Sequence, residues 1–188
     1  MEQLSDNSLM LKVKGGDLDK LGLLYERYKK LLFIFFFRMN HDEMLSEDLV
    51  QYVFMRILKY RHTFRGEGGD GAFKIWLFQI ARNLNYEHYK KNKMGKKESL
   101  DEKHENLTGY REEKVADSRD ENLWLLKLAM ERLEKEKREI LVLSKIDGFR
   151  YREIGDILDC SEGAVKTKVF RALRELKKEF QTIKKVYG

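Results

Sequence analysis

Arg138 to Lys178 reads REILVLSKIDGFRYREIGDILDCSEGAVKTKVFRALRELKK, and the fold turns on this stretch. Ile140, Leu143 and Ile146 recur at helical spacing, as Leu126, Met130 and Leu133 do just upstream. Asp147-Gly148 stops the helix of the later trio, because glycine takes the left-handed C-terminal turn without steric cost. Tyr151 to Leu158 then makes a short helix with Ile154, Ile157 and Leu158 facing inward. Gly155 costs this helix about 1 kcal/mol relative to alanine, which close approach of another helix would compensate. Asp159-Cys160-Ser161 is a tight turn with Ser161 placed as an N-cap, and the final helix carries Val165, Val169, Leu173 and Leu176 in one stripe. A short helix, a tight turn and a longer basic helix make a helix-turn-helix pattern.

Opposite that last stripe lie Gly163, Thr167, Arg171 and Arg174, flanked by Lys166 and Lys168. A helix entering the major groove needs small or polar residues near its N-terminus, and cations for guanine edges and phosphates. The same residues would also suit a solvated basic face on an ordinary bundle. Cys160 has no partner cysteine, so it reads as a small turn residue and not as a redox switch.

The remainder of the chain sets bounds on this reading. There are 188 residues, no proline, 37% charged residues and a net charge of +6, which favours an all-helical protein with a polyanionic partner. One cysteine and four histidines supply neither a disulfide nor a metal cluster, so no metal and no cofactor are expected. The start, Met1-Glu2-Gln3-Leu4-Ser5-Asp6, has no basic-then-apolar leader. Leu31 to Phe37 (LLFIFFF) is far shorter than the roughly 20 residues that span a bilayer, and reads as a helix buried on several sides. A cytoplasmic location without membrane insertion is expected.

Apolar periodicity disappears between Gly95 and Asp120, where the sequence turns polar and mostly acidic. The expected fold is all-α: two small helical domains, 1–95 and 121–188, joined by a flexible linker over 96–120. The C-terminal domain is a helix-turn-helix four-helix domain.

In the first domain Gly16 is expected to end one helix and Asp17 to cap the next. SEDLVQYVFMRILKY follows, with Ser46 as N-cap and Leu49, Val53 and Ile57 facing the core; Asp48, Gln51, Tyr52 and Met55 are left outward. In FRGEGGDGAFKIWLFQIARNLNYEHYKK, Phe73, Leu77, Ile80 and Leu84 form one stripe. The other side mixes Phe78, Arg82, Tyr86, Tyr89 and Lys93, and aromatic rings interleaved with cations suit unpaired bases. The glycine-rich loop lacks the G-x-x-x-x-G-K-[ST] spacing, so nucleotide hydrolysis is not expected. No carboxylate pair or nucleophile-base arrangement points to an enzyme.

Arg138 to Lys178 resembles the C-terminal promoter-reading domain of the extracytoplasmic-function sigma factors. Glu153-Ile154-Gly155, Ser161 to Lys166 and Arg171-Ala172 carry the likeness. The family usually has Leu-Pro where this chain has Leu133-Glu134, and alanine where it has Gly155. Asp6, Leu9, Gly16, Asp17, Leu24, Tyr25 and Tyr28 fall on the pattern of the family's first helices, from which Lys20 departs; in the helix that follows, the family commonly has an acidic residue where this chain has Tyr52.

The resemblance implies three surfaces. Arg150, Ser161, Glu162, Gly163, Lys166, Thr167, Lys168, Arg171 and Arg174 would read the −35 element in duplex DNA. Arg65, Gly66, Gly69, Phe78, Arg82, Asn83, Tyr86, Tyr89 and Lys90 would recognise and melt the −10 element as single strand, with the glycine loop closing on a flipped base. Asp48, Gln51, Tyr52 and Met55 would dock on the clamp helices of core RNA polymerase, whose flap is a second expected contact. An anti-sigma factor is a further implied partner. The competing reading is a stand-alone helix-turn-helix regulator, against which the match over Ser46 to Lys91 counts.

Overall fold

A run as apolar as Leu31–Phe37 must be surrounded by other helices to leave water. The computed structural model describes residues 4–67, 69, 71–95 and 118–187, and shows how this is done. Helices α1 (Asp6–Lys14), α2 (Asp19–Asn40), α3 (Glu43–Tyr60) and α4 (Ala72–Gly95) form an N-terminal unit, with a 3-10 turn at Arg61–Thr63. Leu32, Phe35 and Phe36 of α2 are wholly buried in one core with Leu9, Met10, Val53, Ile57, Phe73 and Leu77. Each such side chain contributes roughly 1.5–3 kcal/mol by leaving water.

The C-terminal unit consists of α5 (Ser118–Arg132), α6 (Lys135–Leu141), α7 (Tyr151–Leu158) and α8 (Glu162–Tyr187), and no strand occurs among the described residues. Two helical domains with a C-terminal helix-turn-helix is the expected architecture. Most of the expected linker, 96–117, lies outside the described residues; its last three positions already belong to α5.

Several local expectations are corrected. α3 starts at Glu43, capped by Asp42, whose carboxylate accepts from Leu45 N–H at 3.0 Å. Ser46 is instead buried inside α3, donating its hydroxyl to the Asp42 carbonyl. Asp17 makes no side-chain cap for α2, whose N-cap is Leu18. Val142–Ile146 form a π turn, closed by Asp147 N–H on the Val142 carbonyl at 2.9 Å. The extra residue in that turn rotates the register, so Ile146 is exposed while Asp147 and Phe149 are buried. On α5 the inward residues are Leu125 and Ala129, packed with Ile183 of α8, which leaves Leu126 partly exposed; Leu133 is buried in the main core just past the helix end. On α8, Ala172 takes the inward place expected of Leu173. A Cβ on Gly155 would lie 2.6 Å from the Cys160 carbonyl oxygen, so the close approach comes from the turn itself and not from another helix.

The two units share one continuous core. Phe78 of α4 meets Phe149 edge-to-face at 4.7 Å, and both are buried. Arg138 of α6 reaches back to the Met39 carbonyl at the end of α2 while also bonding the Met130 and Leu133 carbonyls. His41, the left-handed C-cap of α2, lies 3.5 Å from Glu131. Burial, helped by Arg138, Lys127 and Arg38, holds that imidazole down to about 4, so it is neutral near pH 7 and the contact is not an ion pair there.

Candidate nucleic-acid interface

The C-terminal candidate surface is built by the turn between α7 and α8. Glu153 bonds the Arg150 N–H at 2.7 Å and starts α7. Asp159, at φ 52°, ends it in the left-handed conformation, and Cys160 N–H returns to the Gly155 carbonyl. Ser161 Oγ accepts from Ala164 N–H at 3.2 Å, so the expected N-cap of α8 is present. Val165, Val169 and Ala172 bury one side of α8. The other side presents Ser161, Glu162, Gly163, Lys166, Thr167, Lys168, Arg171 and Arg174, all exposed, with Arg150 exposed beside them. Lys166, Lys168, Arg171 and Arg174 make no ion pair among the described residues, whereas Lys137–Glu175 and Arg132–Glu179 pair on the far side of α8. Phe170, 66% exposed, lies within that same face between Lys166 and Arg174 at helical spacing, and an apolar residue there gave no signal for a polyanion-binding surface.

The N-terminal surface lies on α4 and the loop before it. Gly66 and Gly69 take φ values of +73° and +80°, in the left-handed region that favours glycine. Asn7 of α1 fixes this loop: its amide donates to the Gly69 carbonyl at 2.6 Å, and its oxygen accepts from Phe73 N–H at 2.8 Å. Asn7 thus caps α4 from a distant element, a role with no local sequence signal. Arg65 is exposed at the loop's edge.

Along α4 the expected strand-opening residues separate into two stripes. Asn83, Tyr86 and Lys90 are exposed, Tyr86 to 60%. Phe78 is fully buried, Arg82 bonds Glu139 of α6 at 3.2 Å, and the Tyr89 ring carries Lys135 Nζ at 4.1 Å from its centre. Phe78 and Arg82 therefore face the C-terminal unit, and Tyr89 touches it through Lys135 while remaining 47% exposed.

Next to the open stripe is a groove of about 350 Å³ lined by Arg56, Tyr60, Ile80, Asn83, Tyr86 and Glu87. Arg56 grips Glu87 with two nitrogens, at 2.9 and 2.5 Å, joining α3 to α4. That bond raises the guanidinium and lowers the carboxyl from their ordinary values, so both stay charged. Two tyrosines, an amide and a fixed ion pair around a concave surface suit a planar ring with polar edges. Arg56, Tyr60, Ile80 and Glu87 were missed in the sequence because the groove forms only when α3 and α4 pack.

Asp48, Gln51, Tyr52 and Met55 are all exposed along α3, with Met55 at 62%, and Met44 extends the same face at 76%. Exposed methionines beside a tyrosine have the chemistry that suits an adaptable protein contact. Among the described residues no group of three or more His, Cys, Asp or Glu could hold a metal, and no helix is long and apolar enough to cross a membrane.

Comparison with known proteins identifies the family. Residues 24–94 match Sigma-70 region 2, and residues 123–176 match Sigma-70 region 4. The chain belongs to the extracytoplasmic-function sigma factors of the sigma-70 family. It is similar to the ECF RNA polymerase sigma factor SigX of Bacillus subtilis, 28% identical over 166 residues covering 86% of this chain and 84% of that one. It is also similar to the ECF RNA polymerase sigma-E factor of Escherichia coli, 28% identical with 97% of each chain covered. Among solved structures, CnrH in complex with the cytosolic domain of CnrY superimposes with a TM-score of 0.70 at 20% identity, covering 94% of this chain and 97% of that one. Bartonella quintana RpoE, in complex with the anti-sigma factor NepR, gives 0.66 at 24% identity, covering 88% and 97%. These two similarities show the fold. This sigma factor thus acts in transcription initiation, and a stand-alone regulator is not favoured.

Proposed function

We propose that this sigma factor divides promoter reading between two surfaces, docks on polymerase through a third, and carries out no catalysis of its own. Region 2 occupies 1–95, region 4 occupies 121–188, and 96–120 joins them. The α8 residues Gly163, Lys166, Thr167, Lys168, Arg171 and Arg174, with Arg150, Ser161 and Glu162 at the turn, read the −35 element in duplex form. Asn83, Tyr86 and Lys90, with Arg65, Gly66 and Gly69, hold the unpaired −10 strand, and the groove between Tyr60 and Tyr86 receives a base turned out of the stack. Phe78, Arg82 and Tyr89 join that surface once region 4 moves away. Asp48, Gln51, Tyr52 and Met55 meet the clamp helices of core polymerase, and region 4 meets the flap. An anti-sigma factor is a further partner, and the protein works in the cytoplasm.

The observation that carries this reading is the pairing of two exposed surfaces of different chemistry. One is a basic helix start with small residues for duplex DNA; the other is a tyrosine-walled groove for single strand. Run-off transcription with core polymerase, on intact duplex and on a pre-melted bubble, tests it. Arg171→Ala should cost about 1–3 kcal/mol in duplex recognition and leave the bubble nearly unaffected. Tyr86→Ala should do the reverse, losing about 1–3 kcal/mol of strand capture. Equal losses on both templates would remove the assignment.

A further inference from the structure

Lys74, Phe78, Arg82, Asn85 and Tyr89 lie in line along one face of α4 at helical spacing. Region 4 contacts that face along its length: Phe78 and Asn85 are buried, Lys74 and Arg82 half-buried, and Tyr89 keeps 47% of its surface exposed at the far end. Lys74 Nζ sits 4.1 Å from the centre of the Phe149 ring and 3.5 Å from the Asp147 carbonyl. Phe78 packs on Phe149 at 4.7 Å. Gln79, at the margin, donates to the Asp156 carbonyl of α7 at 2.8 Å. Arg82 bonds Glu139, and Lys135 caps Tyr89 while reaching toward the Asn85 carbonyl at 3.5 Å. The remaining candidate surfaces, on α3, on α8 and on the Asn83–Tyr86–Lys90 stripe, stay exposed.

We propose that the free protein is self-occluded: region 4 is the lid on half of the strand-opening face, and Glu139 and Phe149 are its latch. This rests on the reading of α4 as a single-strand surface and adds a regulatory step to it. The contacts fit a latch. Glu139 is a buried carboxylate whose charge is answered from across the interface by Arg82, a residue that would otherwise hold a phosphate. Phe149 fills the place beside Phe78 where a base could stack. Region 4 therefore offers α4 an anion and an aromatic ring, the two features of the nucleotide it displaces. Unpaired strand and region 4 compete for one stripe, and strand capture requires the lid to leave. The stripe left open can hold a strand weakly without opening, which provides a first foothold.

The test uses the full chain and two latch variants. Glu139→Arg sets two guanidiniums against each other, and Phe149→Asp sets a carboxylate against the Phe78 ring, both changes lying on the region 4 side of the contact. They change net charge in opposite directions, so a shared effect is not electrostatic attraction for DNA. Affinity for a fluorescein-labelled mixed-sequence single-stranded oligonucleotide is read by anisotropy, and radius of gyration by small-angle X-ray scattering. If about one molecule in ten is open in the wild type, full opening raises apparent affinity about tenfold. Both variants should show that rise with a larger radius, and wild type saturated with the oligonucleotide should expand likewise. An unchanged radius, or a larger radius with unchanged affinity, overturns the proposal. The wild-type expansion does not depend on either variant folding. Tyr86→Ala separates the underlying reading: if it leaves strand affinity intact, α4 is not the strand surface, and the scattering still decides whether the chain is latched.

Discussion

Arg138→Met should destabilise the whole chain by about 2–4 kcal/mol, more than any surface substitution. The Arg138 guanidinium lies among backbone carbonyls at two helix ends. Nε donates to Met130 at 3.0 Å, one terminal nitrogen donates to Met39 at 3.2 Å, and the other donates to Glu131 and to Leu133. These carbonyls lie at the ends of α2 and α5, where helix C-termini leave acceptors short of partners; the Met130 carbonyl also accepts from the Leu133 N–H at 3.3 Å. Hydrogen bonds to a charged donor are worth roughly 1.5–3 kcal/mol each. Four cannot simply be summed: a methionine spares the desolvation of the cation, which burial already holds below its ordinary value, and water can enter part of the vacated space. What survives is the loss of one shared partner for four polar groups, about 2–4 kcal/mol. Urea unfolding followed by circular dichroism should show a lowered midpoint. Arg138→Lys keeps the charge but not the fork, and should recover about half of the loss. A loss under about 0.5 kcal/mol, the range of ordinary surface changes, would refute the reasoning.

Asp147 and Asn7 give two further expectations. Burial pushes the Asp147 carboxyl up to about 7, Lys74 opposing, and neither oxygen has a hydrogen-bond partner. Its native value exceeds its unfolded value, so its contribution is full below about pH 4 and is lost as pH rises through about 7. Melting temperature should therefore fall between pH 5 and pH 8 in wild type, and fall less in Asp147→Asn; parallel curves would show that the carboxyl is not the cause. Asn7→Ala removes the remote cap of α4 and should cost about 1–2 kcal/mol in urea unfolding. Hydrogen exchange should rise first at Phe73, and an unchanged rate there would count against the cap.

The helices and their order could be read in the sequence because each carries its own period and stop signal. Val165, Val169, Gly148 and Ser161 act locally, and local signals survive into the fold. What could not be read depended on partners. The π turn at Val142–Ile146 exchanges Ile146 for Asp147 on the inner face, and nothing in the residue pattern announces an extra residue in a turn. Ser46 looked like a cap because serine before acidic residues normally is one, but Asp42 one turn earlier takes that place. Gly155 was readable as a tight spot, although its neighbour proved to be the turn backbone at Cys160.

The site shows the same division more sharply. On α8 every residue expected on the basic face is exposed, because burial there is decided by one apolar stripe, although Leu173 and Phe170 are exposed with them. On α4 the helix is amphipathic toward two partners at once. Phe73, Leu77 and Leu84 serve the N-terminal core, while Phe78 and Ala81 are equally buried. A residue such as Phe78 satisfies a hydrophobic contact and a stacking surface with the same ring, so its sequence context cannot say which it does. Arg82 is likewise a phosphate ligand or a partner for Glu139, and only the position of region 4 chooses. Ambiguity in the sequence at these positions has a physical source: the same side chains can serve two alternative neighbours, and a surface that must be covered in one state and bare in another has to be composed of such residues.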